Sequence, residues 1–195
     1  YFRYPEKHVV AGNPVRHVFM TADREKSRAE LGFDQSDFVL LAFGGSQGAG
    51  RVNKAMTGII EAFNGLKGFR ICLATGSYYY DAIKEELKEK GIQVADNVDI
   101  MEYIHDMAKY LSAADLVISR SGALSVAEVT VCGVPAVFIP SPLVTGNHQY
   151  FNAKAVADKG GALIIEEKDL NNDELIGEIL KLKNDPATLK QMAEK

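Results

Sequence analysis

Asp115-Leu-Val-Ile-Ser-Arg-Ser-Gly-Ala-Leu-Ser-Val-Ala-Glu128 decides the fold class. Its first residues form a short apolar run, a strand buried on both faces. Ser121-Gly122 then turns the chain into a helix running to about Cys132. A strand that passes through Ser-Gly into a helix leaves backbone N–H groups and a positive dipole end facing outward, a seat for phosphate. Glu128 stands just over one turn into that helix, and its side chain leans back toward the N-terminus. A carboxylate there lies close to whatever is joined to the phosphate, and a ribose diol matches it. The stretch reads as half of a nucleotide-diphosphate site.

The same strand-then-helix rhythm extends in both directions. Phe38–Phe43, Phe69–Ala74 and Ala136–Ile139 are continuous apolar runs, and Val98–Met101 and Ala162–Ile165 are shorter ones. Helical spacing separates them over 52–63, 80–90 and 148–159, with a fourth helix over 172–183 and a last short one opened by Pro186. Gly91 and Gly160-Gly161 provide stops. This alternation predicts an α/β domain with a doubly wound, Rossmann-like parallel sheet. Its ligand belongs at the carboxyl ends of the strands, where the strand order reverses. No linker or repeat divides residues 1–195, so we read a single domain. Residues 1–20 are less regular, with the turn Gly12-Asn-Pro-Val-Arg16, and read as a short entry strand or interdomain connection.

Bulk properties narrow the function classes. A net charge of −4 and a pI near 5.6 argue against a general nucleic-acid binder. The 47% hydrophobic content is ample for a core, yet no apolar run approaches a membrane span. Cys72 and Cys132 sit in apolar segments and read as buried free thiols. His8, His17, His105 and His148 show no metal-ligand spacing, and no Asp-x-Asp pair is present. We therefore expect no metal and no cofactor.

Two further loops join the first. Gly44-Gly-Ser-Gln-Gly-Ala-Gly50 follows a strand and precedes a helix. It is neither a Walker loop nor a dinucleotide fingerprint, since no Gly-Lys-Ser/Thr follows and the Gly-x-Gly-x-x-Gly spacing fails in every register. Pro140 to Asn152 runs from a strand end into a helix, placing Asn147, His148 and Gln149 at the mouth of the sheet, where amides can read sugar hydroxyls. Taken singly, each loop is equally a plain capped turn, with Ser121 or Asn147 as cap. Two glycine-bearing turns on one parallel sheet open at the same edge, and a shared anionic ligand accounts for both. Arg16 can clamp a diphosphate bidentately; alone, it reads as a solvated arginine. The Tyr78-Tyr-Tyr80 run reads as helix-start packing.

Gly12-Asn-Pro-Val-Arg16, Gly44-Gly-Ser-Gln-Gly-Ala49, Tyr103-Ile104, Arg120 through Glu128, Asn147-His-Gln149 and Asn152-Ala153 occur in an order and spacing that resembles the C-terminal half of the MurG family. These are the undecaprenyl-diphospho-muramoylpentapeptide N-acetylglucosaminyltransferases of bacterial peptidoglycan synthesis. The resemblance implies the C-terminal half of a glycosyltransferase-B fold that binds UDP-N-acetylglucosamine, inverting chemistry without a metal, and lipid I as acceptor on an N-terminal domain. It also implies a peripheral place on the cytoplasmic face of the membrane, with contact through that other domain. Residue by residue, it assigns Arg16 and Ser46 to the diphosphate region and the backbone of Ile104 to the uracil edge. Ala123, Leu124, Ser125, Val126 and Ala127 belong to the stretch at the phosphates, Glu128 to the ribose and Gln149 to N-acetylglucosamine. Position 148 is His where some members have Gln. The family's N-terminal glycine-rich loops and proposed base match nothing here, so no catalytic residue is named, and the chain alone is expected to transfer nothing. Other readings are the donor domain of a different glycosyltransferase-B enzyme, or a non-catalytic nucleotide-sugar-binding module.

Overall fold

A computed structural model describes residues 4–9 and 12–195. The strands are β1 (Phe38–Phe43), β2 (Phe69–Ala74), β3 (Val98–Met101), β4 (Leu116–Ser119), β5 (Ala136–Phe138) and β6 (Ala162–Ile164). The helices are α1 (Val18–Thr21), α2 (Arg24–Leu31), α3 (Gly50–Phe63), α4 (Ser77–Glu89), α5 (Met107–Ala113), α6 (Ala123–Val131), α7 (His148–Ala157), α8 (Asn172–Lys183) and α9 (Pro186–Ala193). The strands form one six-stranded sheet in the order β3-β2-β1-β4-β5-β6. Every pairing is parallel.

The strands form where the apolar runs predict because both faces are covered. All six residues of β1 are buried, which only a sandwiched strand tolerates. One face packs α3, α4, α8 and α9 through Met56, Ile59, Ile60, Leu87 and Ile179. The other packs α1, α2, α5, α6 and α7 around Leu41, Leu111, Phe138 and Ala153. Full burial of a Leu or Ile contributes about 1.5–3 kcal/mol, so the strands and the helices packed on both faces stabilise the fold together.

Strand order reverses between β1 and β4. Phe43 and Ser119, the last residues of those two strands, are register partners. The Gly44 and Ser121 loops therefore leave the sheet side by side at the switch point.

Several expectations change. Among the described residues of the first twenty no strand forms. Pro5–Lys7 makes a 3-10 turn, and α1 begins at Val18. Pro14 lacks the N–H a strand would donate. The part of that expectation covering Tyr1–Arg3, Val10 and Ala11 lies outside the described residues. Cys72 is buried, but Cys132 is only half-buried. Burial pushes the Cys72 thiol far up and the Cys132 thiol up to about 11, with Glu128 adding to the latter. In the tyrosine run, Tyr79 packs on the core while Tyr78 is exposed.

Candidate functional site

Two uncapped helix starts frame the switch point. Residue Gly122 opens α6 and Ala49 opens α3, and neither helix receives a side-chain cap. Of the other helices, α2, α8 and α9 are capped by Asp23, Asn171 and Asp185, while α1, α4, α5 and α7 also lack a side-chain cap. Capping satisfies the orphan donors of a helix start, so α3 and α6 keep theirs available. Neither suggested cap acts as one. Ser121 is fully buried and donates instead to the carbonyl of Gln149 at 2.8 Å. Asn147 makes no cap bond and stands at φ 51°, the one positive φ outside glycine among the described residues.

The glycine loop is shaped by close backbone approach. A Cβ on Gly48, at φ 78°, would lie 1.9 Å from the Thr75 carbonyl oxygen, so only glycine fits. That oxygen also accepts from Asn53 Nδ2 at 2.9 Å, which ties α3 to the end of β2.

A cavity of about 350 Å³ opens between these loops. Its lining includes Arg16, Ser46, Ile104, Leu124, Ser125 and Glu128, from segments more than a hundred residues apart. Sequence reasoning alone singled out Arg16 and Glu128, and the structure brings both to the lining of this one cavity. Arg16 stacks over the Phe19 ring at 4.9 Å, which orients its exposed guanidinium. Burial raises the Glu128 pKa above the ordinary glutamate value, and the Arg16 charge partly offsets this. Ile104 is 3% exposed, so its side chain belongs to the core and the cavity meets the main chain beside it. Tyr103 and His105 flank it with rings in edge contact, centroids 5.1 Å apart. Both line the cavity, as do Glu102 and Met107, and none of the four was given a ligand role by sequence. The Tyr103-Ile104 pair was the available signal.

The remaining expected residues lie outside this lining. Ala123 is exposed, and its carbonyl accepts from Asn13 Nδ2 at 3.3 Å, which brings the Gly12-Asn-Pro turn onto α6. Val126 packs toward the core. Ala127 is half-buried on the same helix. Gln149 sits in the first turn of α7, and its Oε1 accepts from Ser141 N–H at 2.9 Å. Asn147 lines a different cavity of about 470 Å³ beside Pro140, Tyr150 and Glu167. His148 Nδ1 lies 3.0 Å from the Thr145 carbonyl oxygen, a local turn contact. Among the described residues no group of three His, Cys, Asp or Glu side chains is placed to hold a metal ion. No helix among them is long and apolar enough to cross a membrane.

A doubly wound parallel sheet with uncapped helix starts and a carboxylate at its switch point defines an α/β domain of the glycosyltransferase-B kind. Residues 39–195 match the glycosyltransferase family 28 C-terminal domain, and the chain belongs to that family. It is similar to a curated protein of Caldanaerobacter subterraneus subsp. tengcongensis named UDP-N-acetylglucosamine–N-acetylmuramyl-(pentapeptide) pyrophosphoryl-undecaprenol N-acetylglucosamine transferase. They share 37% identity over 195 residues, all of this chain and 53% of that one. A Bacillus cereus protein of the same name, numbered 1, is 42% identical over 97% of this chain and 51% of its own. The chain thus spans about half the length of the curated relatives it matches. Among solved structures, Acinetobacter baumannii MurG superposes with TM-score 0.71 at 29% identity, covering 97% of this chain and 52% of that one. WaaG, a glycosyltransferase of lipopolysaccharide biosynthesis, shares the fold at TM-score 0.65 and 19% identity, over 97% of this chain and 51% of its own.

Proposed function

We propose that this chain is the donor-binding half of a transferase that moves N-acetylglucosamine from UDP-N-acetylglucosamine to lipid I, forming lipid II at the cytoplasmic face of the bacterial membrane. The observation that carries the reading is the convergence of Arg16, Ser46, Ile104, Leu124, Ser125 and Glu128 on one cavity at the switch point. The curated relatives' names, at 37% and 42% identity, support the donor and acceptor.

In this reading uracil lies against the Tyr103–His105 main chain and the ribose diol on Glu128. The diphosphate sits on the N–H groups of Ala123 to Ser125, with Ser46 and Arg16 beside it; the Val126 N–H, also expected there, is taken by the Gly122 carbonyl at 2.9 Å. Backbone donors, the α6 dipole and the Arg16 guanidinium together offset the diphosphate charge. The leaving group of the transfer is UDP, and the same donors would stabilise the charge that develops on its phosphate as the glycosidic bond breaks. Gln149 reaches the sugar only if its amide N–H groups turn toward the ligand, because its oxygen is held by Ser141. The acceptor, the base that deprotonates it and the membrane contact belong to the other half.

Titration calorimetry of this chain with UDP and UDP-N-acetylglucosamine tests the reading. Saturating ligand should also raise the melting temperature through mass action. Absence of binding by a folded chain would sink the proposal. Sugar transfer to lipid I by this chain alone would contradict the division of labour.

A further inference from the structure

Two loops beside the cavity are joined by side chains to which the donor reading gives no role. Asn152, on α7, donates from Nδ2 to the carbonyl oxygen of Ser121 at 3.0 Å. Ser121 donates from Oγ to the carbonyl oxygen of Gln149 at 2.8 Å. The two bonds run in opposite directions between the turn before α6 and the first two turns of α7. Neither Ser121 nor Asn152 lines the cavity. Serine is among the preferred helix caps, yet this one turns away from α6 and bonds to α7. The first N–H groups of α6 stay free, while the angle at which they are presented is held from behind.

We infer that Ser121 and Asn152 are positioning residues that aim the N-terminus of α6 at the diphosphate, setting affinity for the phosphate half of the ligand without touching it. The inference rests on the nucleotide-diphosphate reading above. The uridine half would be held by the Tyr103–His105 segment and by Glu128 in the second turn of α6, beyond the end that the clamp holds. Loosening the clamp therefore acts on phosphate and spares uridine. A side chain that merely stabilised the fold would affect both halves alike.

The test titrates the chain with uridine and with UDP, in wild type, Asn152→Ala, Asn152→Asp and Ser121→Ala, with near-UV circular dichroism as the check on folding. UDP affinity should fall by up to about tenfold in each variant, the most that losing one part-buried clamp bond can pass on to the diphosphate. Uridine affinity should stay at the wild-type value. Asn152→Asp should behave like Asn152→Ala, because a carboxylate has no N–H to donate. Ser121→Ala removes a single oxygen and keeps the test available if Asn152→Ala fails to fold. Equal losses for both ligands, or unchanged UDP affinity in folded variants, overturn the inference and leave the nucleotide reading standing. A folded wild-type chain that binds neither ligand overturns both.

Discussion

The two ends of this sheet use the same residue types for opposite purposes. At the amino end, Arg28 on α2 is fully buried and meets Asp115 at 2.6 Å. Its other donors go to the carbonyls of Ala113, Gln35 and Asp37 at 2.9–3.0 Å. Asp115 also accepts from Arg24 at 2.6 Å and from the N–H of Val39 at 2.7 Å. At the carboxyl end, Arg16 and Glu128 both line an open cavity, and no hydrogen bond or ion pair joins them. A buried charge is tolerable only when its partners are complete. The closed pair at the amino end is accordingly structural, and the open one leaves capacity for a ligand.

The sharpest way to break this comparison is Arg28→Leu. It strips one of two arginine partners from the half-buried Asp115 carboxylate and leaves several carbonyls unsatisfied, at a cost of about 3–5 kcal/mol. Arg24 still faces Asp115, which favours the lower end. Chemical denaturation should show the loss, and any folded fraction should bind UDP normally. A variant of native stability would remove the distinction between the ends.

Glu128→Ala is the counterpart. Charge-assisted hydrogen bonds to ribose contribute about 1.5–3 kcal/mol each. UDP affinity should drop at least about tenfold, with little change in unfolding. The loss should be smaller for 2′-deoxy-UDP, and equal losses for the two nucleotides would show that Glu128 does not read that hydroxyl.

A milder effect comes from pH. Burial raises the Glu128 pKa, so the carboxylate is lost sooner on acidification than an ordinary glutamate's. The ionised form is the one that accepts from the ribose. Uridine affinity, free of any phosphate titration, should therefore weaken as pH falls toward the carboxylate range, and Glu128→Gln should flatten that dependence. For stability the sign is opposite. The native state holds this proton more tightly than the unfolded chain, so this one group favours folding as pH falls. A pH profile for uridine binding identical in Glu128→Gln would detach the residue from the site.

The smallest expected effect is none. Adding EDTA should leave UDP affinity unchanged, because helix starts and Arg16 supply the positive field. A specific loss restored by magnesium or manganese would require a cation in the site.

Much of this arrangement is legible in the chain itself. Apolar runs predicted each strand to within a residue or so, since a strand covered on both faces has no room for polar residues. The α8 limits, Asn172–Lys183, follow from helical spacing alone. By contrast α2 escaped, because its eight residues carry no apolar stripe. Asp23 caps it, Gly32 ends it, and the side chain it buries is a charged one, Arg28. The cap and stop were readable signals. Ile104 had no local signal, because an apolar residue that is 3% exposed looks in sequence like any other core residue.

Alternation of apolar runs with helical segments, and Ser-Gly ahead of a helix with Glu128 one turn on, determine from sequence alone a parallel α/β sheet and a strand-to-helix turn carrying a carboxylate at its carboxyl edge. These features depend on neighbours a few residues apart, where periodicity and helix geometry act directly. Tertiary structure alone decided which arginine is structural and which is open, that Ser121 bonds to α7 and does not cap α6, and that Gln149 is held by its own loop. Each of those outcomes depends on partners brought together across the fold, and hydrogen-bond satisfaction between distant segments leaves no periodic trace in sequence.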